Sequence, residues 1–360
     1  MSRARSLADL ISGNAIIEGA EIATSTIPND RLISAGQLTL GSTALTLGAT
    51  TTAIAGLTTI GTTVNSVTGV AIPGKIGGTN FDNSLLIGTT TTGTLNNAIQ
   101  NIGIGPDALK SLTSGARNII LGHTAGDAIT TGMDNVGMGR MCLSAVVGGR
   151  YNVGIGSYAL KANTANDNTA VGFSALNLNT SATGLVAVGS HALYNNTTGD
   201  ANTAVGYYAL NANTTGEYNV AVGYESLNVN TTGQNNVSVG YQALKANTIG
   251  QGNVAIGGEA LEANTTGPNS IAIGYQALKT NTIGHSNVAV GLVTLTTNTT
   301  GIENVAVGNY ALQDNVSGIR NVAVGYLSLA DNTIGIDNVA IGYNALRLST
   351  TGHSNTAVGY

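Results

Sequence analysis

Residues 202–216 read N-T-A-V-G-Y-Y-A-L-N-A-N-T-T-G, and this phrase recurs with a period of seventeen from Ser84 to Tyr360. The glycine that closes its first five positions falls at 88, 105, 122, 139, 156, 172, 189, 206, 223, 240, 257, 274, 291, 308, 325, 342 and 359. All of the intervals but one are seventeen long, and the exception, from Gly156 to Gly172, is one shorter. A period this short and this strict marks a solenoid or array, in which each copy is one turn that packs against its neighbours in sequence.

Within one copy, Asn338-Val339-Ala340-Ile341-Gly342 alternates β-branched residues with a small one, the pattern of a short strand. Val339 and Ile341 share a face, and together with Leu346 they are the expected core of the coil. Leu holds the position four after the glycine in 14 of 16 complete copies, Thr92 and Gly126 being the exceptions, and a small residue precedes it, as Ala175, Ser226 or Thr294. A polar corner such as Asn332-Thr333-Ile334-Gly335 follows, with the chemistry of turns and positive φ.

Asn opens the strand in 14 of 17 copies, and a second Asn stands seven residues after the glycine in eleven consecutive copies, from Asn163 to Asn332. Stacked coils place equivalent residues ~4.8 Å apart. At that spacing side-chain amides hydrogen-bond along the stack, so Asn213, Asn230, Asn247, Asn264, Asn281 and Asn298 are expected to form a structural ladder. The competing reading takes triplets such as Asn213-Thr214-Thr215 as glycosylation acceptors; it requires a secretory route, of which the sequence shows no sign.

A coil this short, at ~3.3 Å per residue, encloses only a thin layer of side chains. Two β-branched residues, one Leu and a pair of small residues make little core, so coils of several chains are expected to share it, a trimer being the expected assembly. Two resemblances bear on this. Asn253-Val254-Ala255-Ile256-Gly257 resembles the head repeat of trimeric autotransporter adhesins, which form left-handed parallel β-rolls. The longer unit at 202–216 more closely resembles repeats of bacteriophage tail-fibre proteins, and the likeness covers roughly three quarters of the chain. The one shortened copy, between Asn163 and Asn168, lacks the usual glycine and breaks the pattern once.

The composition is that of a repetitive fibre. Gly supplies 50 of 360 residues, there are 2 Phe and no Trp, and 9% of residues are charged, against about 25% in ordinary domains. A net charge of −5 implies neither a nucleic-acid nor an anionic-membrane partner. The single cysteine, Cys142, occupies the small slot before Leu and reads as a buried hydrophobe.

Three regions are expected. In residues 1–34, Leu7, Leu10 and Ile11 share one face of a short amphipathic helix, and Asp9 and Ser12 interrupt any signal-peptide core. A lone helix of this kind reads as a segment that docks to a virion; Ser-Arg-Ala-Arg starts resemble the attachment end of phage fibres. Residues 35–83 form a Thr/Gly/Leu-rich β shaft and joint, with Leu38-Thr39-Leu40-Gly41 echoed by Leu45-Thr46-Leu47-Gly48. Residues 84–360 are the array. Its first copies are degenerate, as terminal repeats are, whereas Asn355-Thr356-Ala357-Val358-Gly359 is of full quality; a continuation of the chain or a capping protein is expected beyond it.

Signs of catalysis are sparse. His123, His191, His285 and His353 are dispersed, and Glu217, Glu225, Glu259 and Glu262 lie at different phases of the repeat, so neither a metal site nor a glycosidase pair is expected. No cofactor motif occurs. The binding candidates are Tyr207, Tyr224, Tyr241, Tyr275, Tyr326 and Tyr343, all directly after the glycine, joined by Tyr360 and Phe173. The row is expected to stack on itself over the Leu layer, with stacking on sugar rings as the alternative.

The sequence therefore predicts an all-β fibre: a repetitive parallel β-solenoid or β-roll of 17-residue coils, an intertwined homotrimer with a short N-terminal helical docking segment. The expected role is a non-enzymatic virion tail fibre that docks to phage tail or adaptor proteins and meets a host receptor, a glycan, without inserting in a membrane. The alternatives are a bacterial trimeric surface adhesin and a tailspike that degrades polysaccharide.

Overall fold

A computed structural model describes residues 66–67, 70–71, 74–78, 80–89 and 92–360 of the chain. All of them fall in one compact unit, Gly61–Tyr360. Leu7, Leu10 and Ile11, and the shaft up to residue 65, lie outside the described residues.

Among the described residues every regular element is a β-strand. β1 (Ser66–Val67) pairs antiparallel with β2 (Val70–Ala71), and β3 (Gly74–Ile76) pairs antiparallel with β4 (Leu85–Ile87). From β4 to β20 (Thr356–Val358) each strand is three residues long and pairs parallel with the strand one copy onward. The register never slips: Val220 lies opposite Val237, and Val237 opposite Val254. The ladder is open. β3 covers the edge of the first coil, and among the described residues β20 pairs only with β19 (Val339–Ile341). Sixteen steps separate β4 from β20, which gives a parallel β-solenoid roughly 80 Å long at ~4.8 Å per step.

The backbone outside the strands is hydrogen-bonded too. Two tight turns follow each strand: Ala209 N donates to Gly206 O at 3.3 Å and Asn213 N to Leu210 O at 3.4 Å. The turns also bond to the next coil, as Leu210 N to Ser226 O at 3.0 Å and Thr214 N to Thr231 O at 3.0 Å. The shortened copy is accommodated without a slip, because Val153 still lies opposite Thr169. At that corner the Ala165 carbonyl accepts from Asn152 and Asn163, where a glycine carbonyl accepts in the regular coils.

Two expectations are corrected. First, the β-branched residues are not the core of the coil. The middle residue of each strand, usually small, points inward: Ala204, Ala221, Ala255 and Ala340 are fully buried, while Val and Ile on either side are partly exposed, such as Ile256 at 39% and Ile341 at 40%. The interior is one layer thick and is filled by this Ala, by the small residue before Leu, by Leu itself and by two Asn. Its size is enforced from both sides. Where Ile120 takes the inward slot, the coils before and after it carry Gly103 and Gly137, and a Cβ on Gly137 would sit 2.9 Å from Ile120 Cδ1. Each buried Leu contributes about 1.5–3 kcal/mol of burial.

Second, positive φ is not found at the glycine of the polar corner. The left-handed residues are the strand-closing glycine (Gly240, φ 141°), the residue two after it (Gln242, φ 53°), the Leu (Leu244, φ 48°) and the residue before the opening Asn (Asn235, φ 58°). Corner glycines such as Gly335 are required by close approach instead: a Cβ there would lie 2.5 Å from Gly352 O and would collide with Asn332 Oδ1.

Candidate functional site

The buried corners hold the asparagines. Asn230 Nδ2 donates to Asn213 Oδ1 at 2.9 Å and to Gly233 O at 2.9 Å, and its own Oδ1 accepts from Asn247 Nδ2 at 2.9 Å. Asn264, Asn281 and Asn298 continue the chain at 2.8–2.9 Å per step. The series stops at Asn332, whose Oδ1 has no partner among the described residues, because the next coil carries Ser349 at that place. The strand-opening asparagines form a second column. The Asn236 backbone N and Nδ2 reach Asn219 Oδ1 at 3.0 and 3.1 Å, and Nδ2 also reaches Gly250 O at 2.9 Å. All these amides are fully buried, so Asn213-Thr214-Thr215 offers no glycosylation acceptor in the folded chain. Asn fits because its oxygen and its two N–H groups meet demands above, below and within the same coil.

The aromatic row lies in the turn that ends each strand, directly after the closing glycine. Tyr207, Tyr224 and Tyr241 stack with ring centroids 5.6 Å apart and planes 15° apart. Tyr326, Tyr343 and Tyr360 stack at 5.3 and 5.4 Å. Tyr275 belongs to neither stack, for Gly258 and Leu292 occupy the rungs on its two sides. A second aromatic column, two residues after the glycine, escaped the sequence reading. His191 stacks on Tyr208 at 4.9 Å, and Tyr208 meets Tyr207 edge-on at 4.4 Å. Through Phe173 the run extends to Tyr158, which Arg140 covers at 4.7 Å. Aligning the copies on their glycines places Tyr158, His191 and Tyr208 in one column, and that was the available signal.

Beside the tyrosines runs a polar column. Glu225 is bonded by Lys245 at 2.7 Å and by Gln242 at 2.9 Å; Glu259 is bonded by Lys279 at 2.6 Å and by Gln276 at 2.9 Å. Lys245, and then Gln242, hold Glu225 below the ordinary carboxylate range; Lys279, and then Gln276, do the same for Glu259. The Glu225 charge in turn raises Tyr224. Cys142 is buried, donates to Gly154 O at 3.1 Å, and desolvation pushes its thiol up to about 12.

The third surface is the outward side of the strands. Val and Ile, two in most coils, form twin columns along the stack, as at Val220/Val222, Val254/Ile256 and Ile271/Ile273, with Thr at 169, 203 and 356. Among the described residues no cluster of His, Cys, Asp or Glu is arranged to hold a metal ion, and no helix is long and apolar enough to cross a membrane. No protein-family model matches the chain, and no curated protein does.

Proposed function

We propose that this chain is a structural, non-enzymatic tail fibre of a virion, a homotrimer that projects from a phage tail and mediates attachment to the host cell surface. The observation that carries the proposal is the pair of outward Val/Ile columns. They give each chain a largely apolar stripe along about 80 Å of solenoid, broken at Thr169, Thr203 and Thr356, and exposed apolar stripes mark interaction surfaces. A soluble chain covers such a stripe, and copies of itself, running in the same direction with the same ~4.8 Å step, present a matching one. Three stiff rods side by side give reach, and they multiply weak surface contacts through effective concentration. The N-terminal segment is the end that meets tail or adaptor proteins, and the receptor is a glycan.

Light scattering on the purified chain tests the assembly: the expected mass is three times the 36.0 kDa of one chain, and a monodisperse monomer sinks the proposal. Gold-labelled antibody against the repeats should decorate fibres on phage particles; label confined to a bacterial envelope would favour the adhesin instead.

A further inference from the structure

We infer that Gly258 opens a sugar-binding notch in the tyrosine row, a place for one neutral pyranose ring between Tyr241 and Tyr275. This inference deepens the attachment reading and rests on it for the source of the ligand, a chain of surface polysaccharide.

The stacked tyrosines turn their faces toward one another along the fibre, so within a stack the faces are already taken. A face is free only where the row is interrupted. Gly258 is the one position of the row from Phe173 onward without a side chain. Below it Tyr241 ends the stack that begins at Tyr207, and above it stands Tyr275, outside any stack. These two rings are the most exposed of the six row tyrosines from 207 to 343, at 52% and 49%. Two rungs separate them, ~9.6 Å, so a ring entering midway lies ~4.8 Å from each, within the 4.5–7 Å of ring stacking.

The polar column is interrupted at the same rung. Gln242 is bonded to Glu225 below, and Gln276 to Glu259 above, whereas no hydrogen bond joins Gln242 to Glu259 among the described residues. Gln276 Nε2 also reaches Tyr275 Oη at 3.1 Å, and Lys279 holds Glu259 in place. Two amides and a carboxylate beside two aromatic faces suit a ring with C–H faces and a rim of hydroxyls. An uncharged hexose meets that description: Glu259 accepts from its hydroxyls, and the second N–H of Gln242 donates to them.

Gly258 also provides the means of closing the notch. Its φ lies outside the left-handed region, and a Cβ there would stand 3.4 Å from Tyr275 Cδ2, an ordinary contact. Gly258→Tyr therefore continues the stack and occupies the site. The chain has 13 Tyr and no Trp, so tyrosine fluorescence reports on the row directly. The full chain is titrated with neutral hexose and N-acetylhexosamine oligosaccharides, on an array and then by fluorescence. Binding is expected for the natural chain. A loss of at least tenfold is expected for Gly258→Tyr, and for Tyr241→Ala and Tyr275→Ala. Asn309→Tyr, which adds a ring elsewhere in the row, should bind within twofold of the natural chain. Circular dichroism checks that each variant is folded; if Gly258→Tyr is not, the two alanine variants decide. No binding of any neutral oligosaccharide, or undiminished binding when the notch is filled or its tyrosines are removed, overturns the notch. Those results leave the fibre standing if the chain is trimeric and virion-borne. A monomer overturns the fibre reading, while the effect of Gly258→Tyr is still read on its own.

Discussion

The corners of each coil and the outer side of its strand reverse the ordinary arrangement of a protein. At the corners Asn213, Asn230 and Asn247 are completely buried, each engaged with the rungs above and below it. On the outer side Val220 and Val222, or Ile271 and Ile273, stand partly in solvent. The two regions answer different demands. So short a coil turns its backbone so tightly that carbonyls such as Gly233 O point into the interior, and an amide side chain satisfies them where an apolar one leaves them orphaned. The strand, by contrast, has little room inside: a branched residue such as Ile120 fits only where its neighbours are Gly103 and Gly137, so most Val and Ile are turned outward. The inside of the coil makes the rung, and the outside carries the proposed assembly.

Substitutions on either side separate these roles. The largest effect is expected at the strand-closing glycines, where both regions hinge. Gly240→Ala forces a side chain to φ 141° with its Cβ 2.5 Å from Gly257 O, and should cost about 3 kcal/mol or more, read as a lower midpoint in chemical denaturation. Next comes the buried corner. Asn230→Ala leaves Asn213 Oδ1 and one N–H of Asn247 without partners, while Gly233 O keeps its bond from Asn219 Nδ2, and about 2–4 kcal/mol should be lost; a loss under ~0.5 kcal/mol would show that the amide column is not what holds the corners.

Charging the outer face should act the other way round. Val222→Glu with Val239→Glu should leave the coil of a single chain within about 1 kcal/mol of the parent, yet dissociate the assembly in light scattering. An unchanged oligomer would mean that the twin columns face solvent after all. The smallest effect belongs to the surface pairs. Glu225 and Glu259 are held below the ordinary carboxylate range, chiefly by Lys245 and Lys279. Their contribution is present above the unfolded value of ~4.3 and disappears as the pH falls through the lower folded value. At about 0.5 kcal/mol per pair, Lys279→Met should lower stability by about that amount at neutral pH, leave it unchanged below the folded value, and so slightly flatten the acid limb.

The repeat itself announced most of this fold. The regular return of the strand-closing glycine set the rung, and the constant phase of Asn and Leu showed which positions recur at each corner. The asparagine positions could be placed because a side chain with one acceptor and two donors has few other uses at a fixed spacing. The aromatic surface was half legible. The column after the glycine stood out because seven tyrosines share it, whereas His191 and Tyr208 in the neighbouring column are visible as one surface only once the turns bring their rings together. The notch at Gly258 was silent in sequence: a glycine among fifty carries no mark of the ring it omits.

By itself the sequence determined the step, the strand, the turn and the residues that must recur, since each follows from periodicity and local chemistry. The tertiary structure decided which way the strand faces. Alternation requires Val339 and Ile341 to oppose Ala340, but it is symmetric between the two sides. Only the closing of the chain into a narrow coil, one side chain deep and already occupied by Leu and two asparagines, turns Ala340 inward and sends the branched residues out.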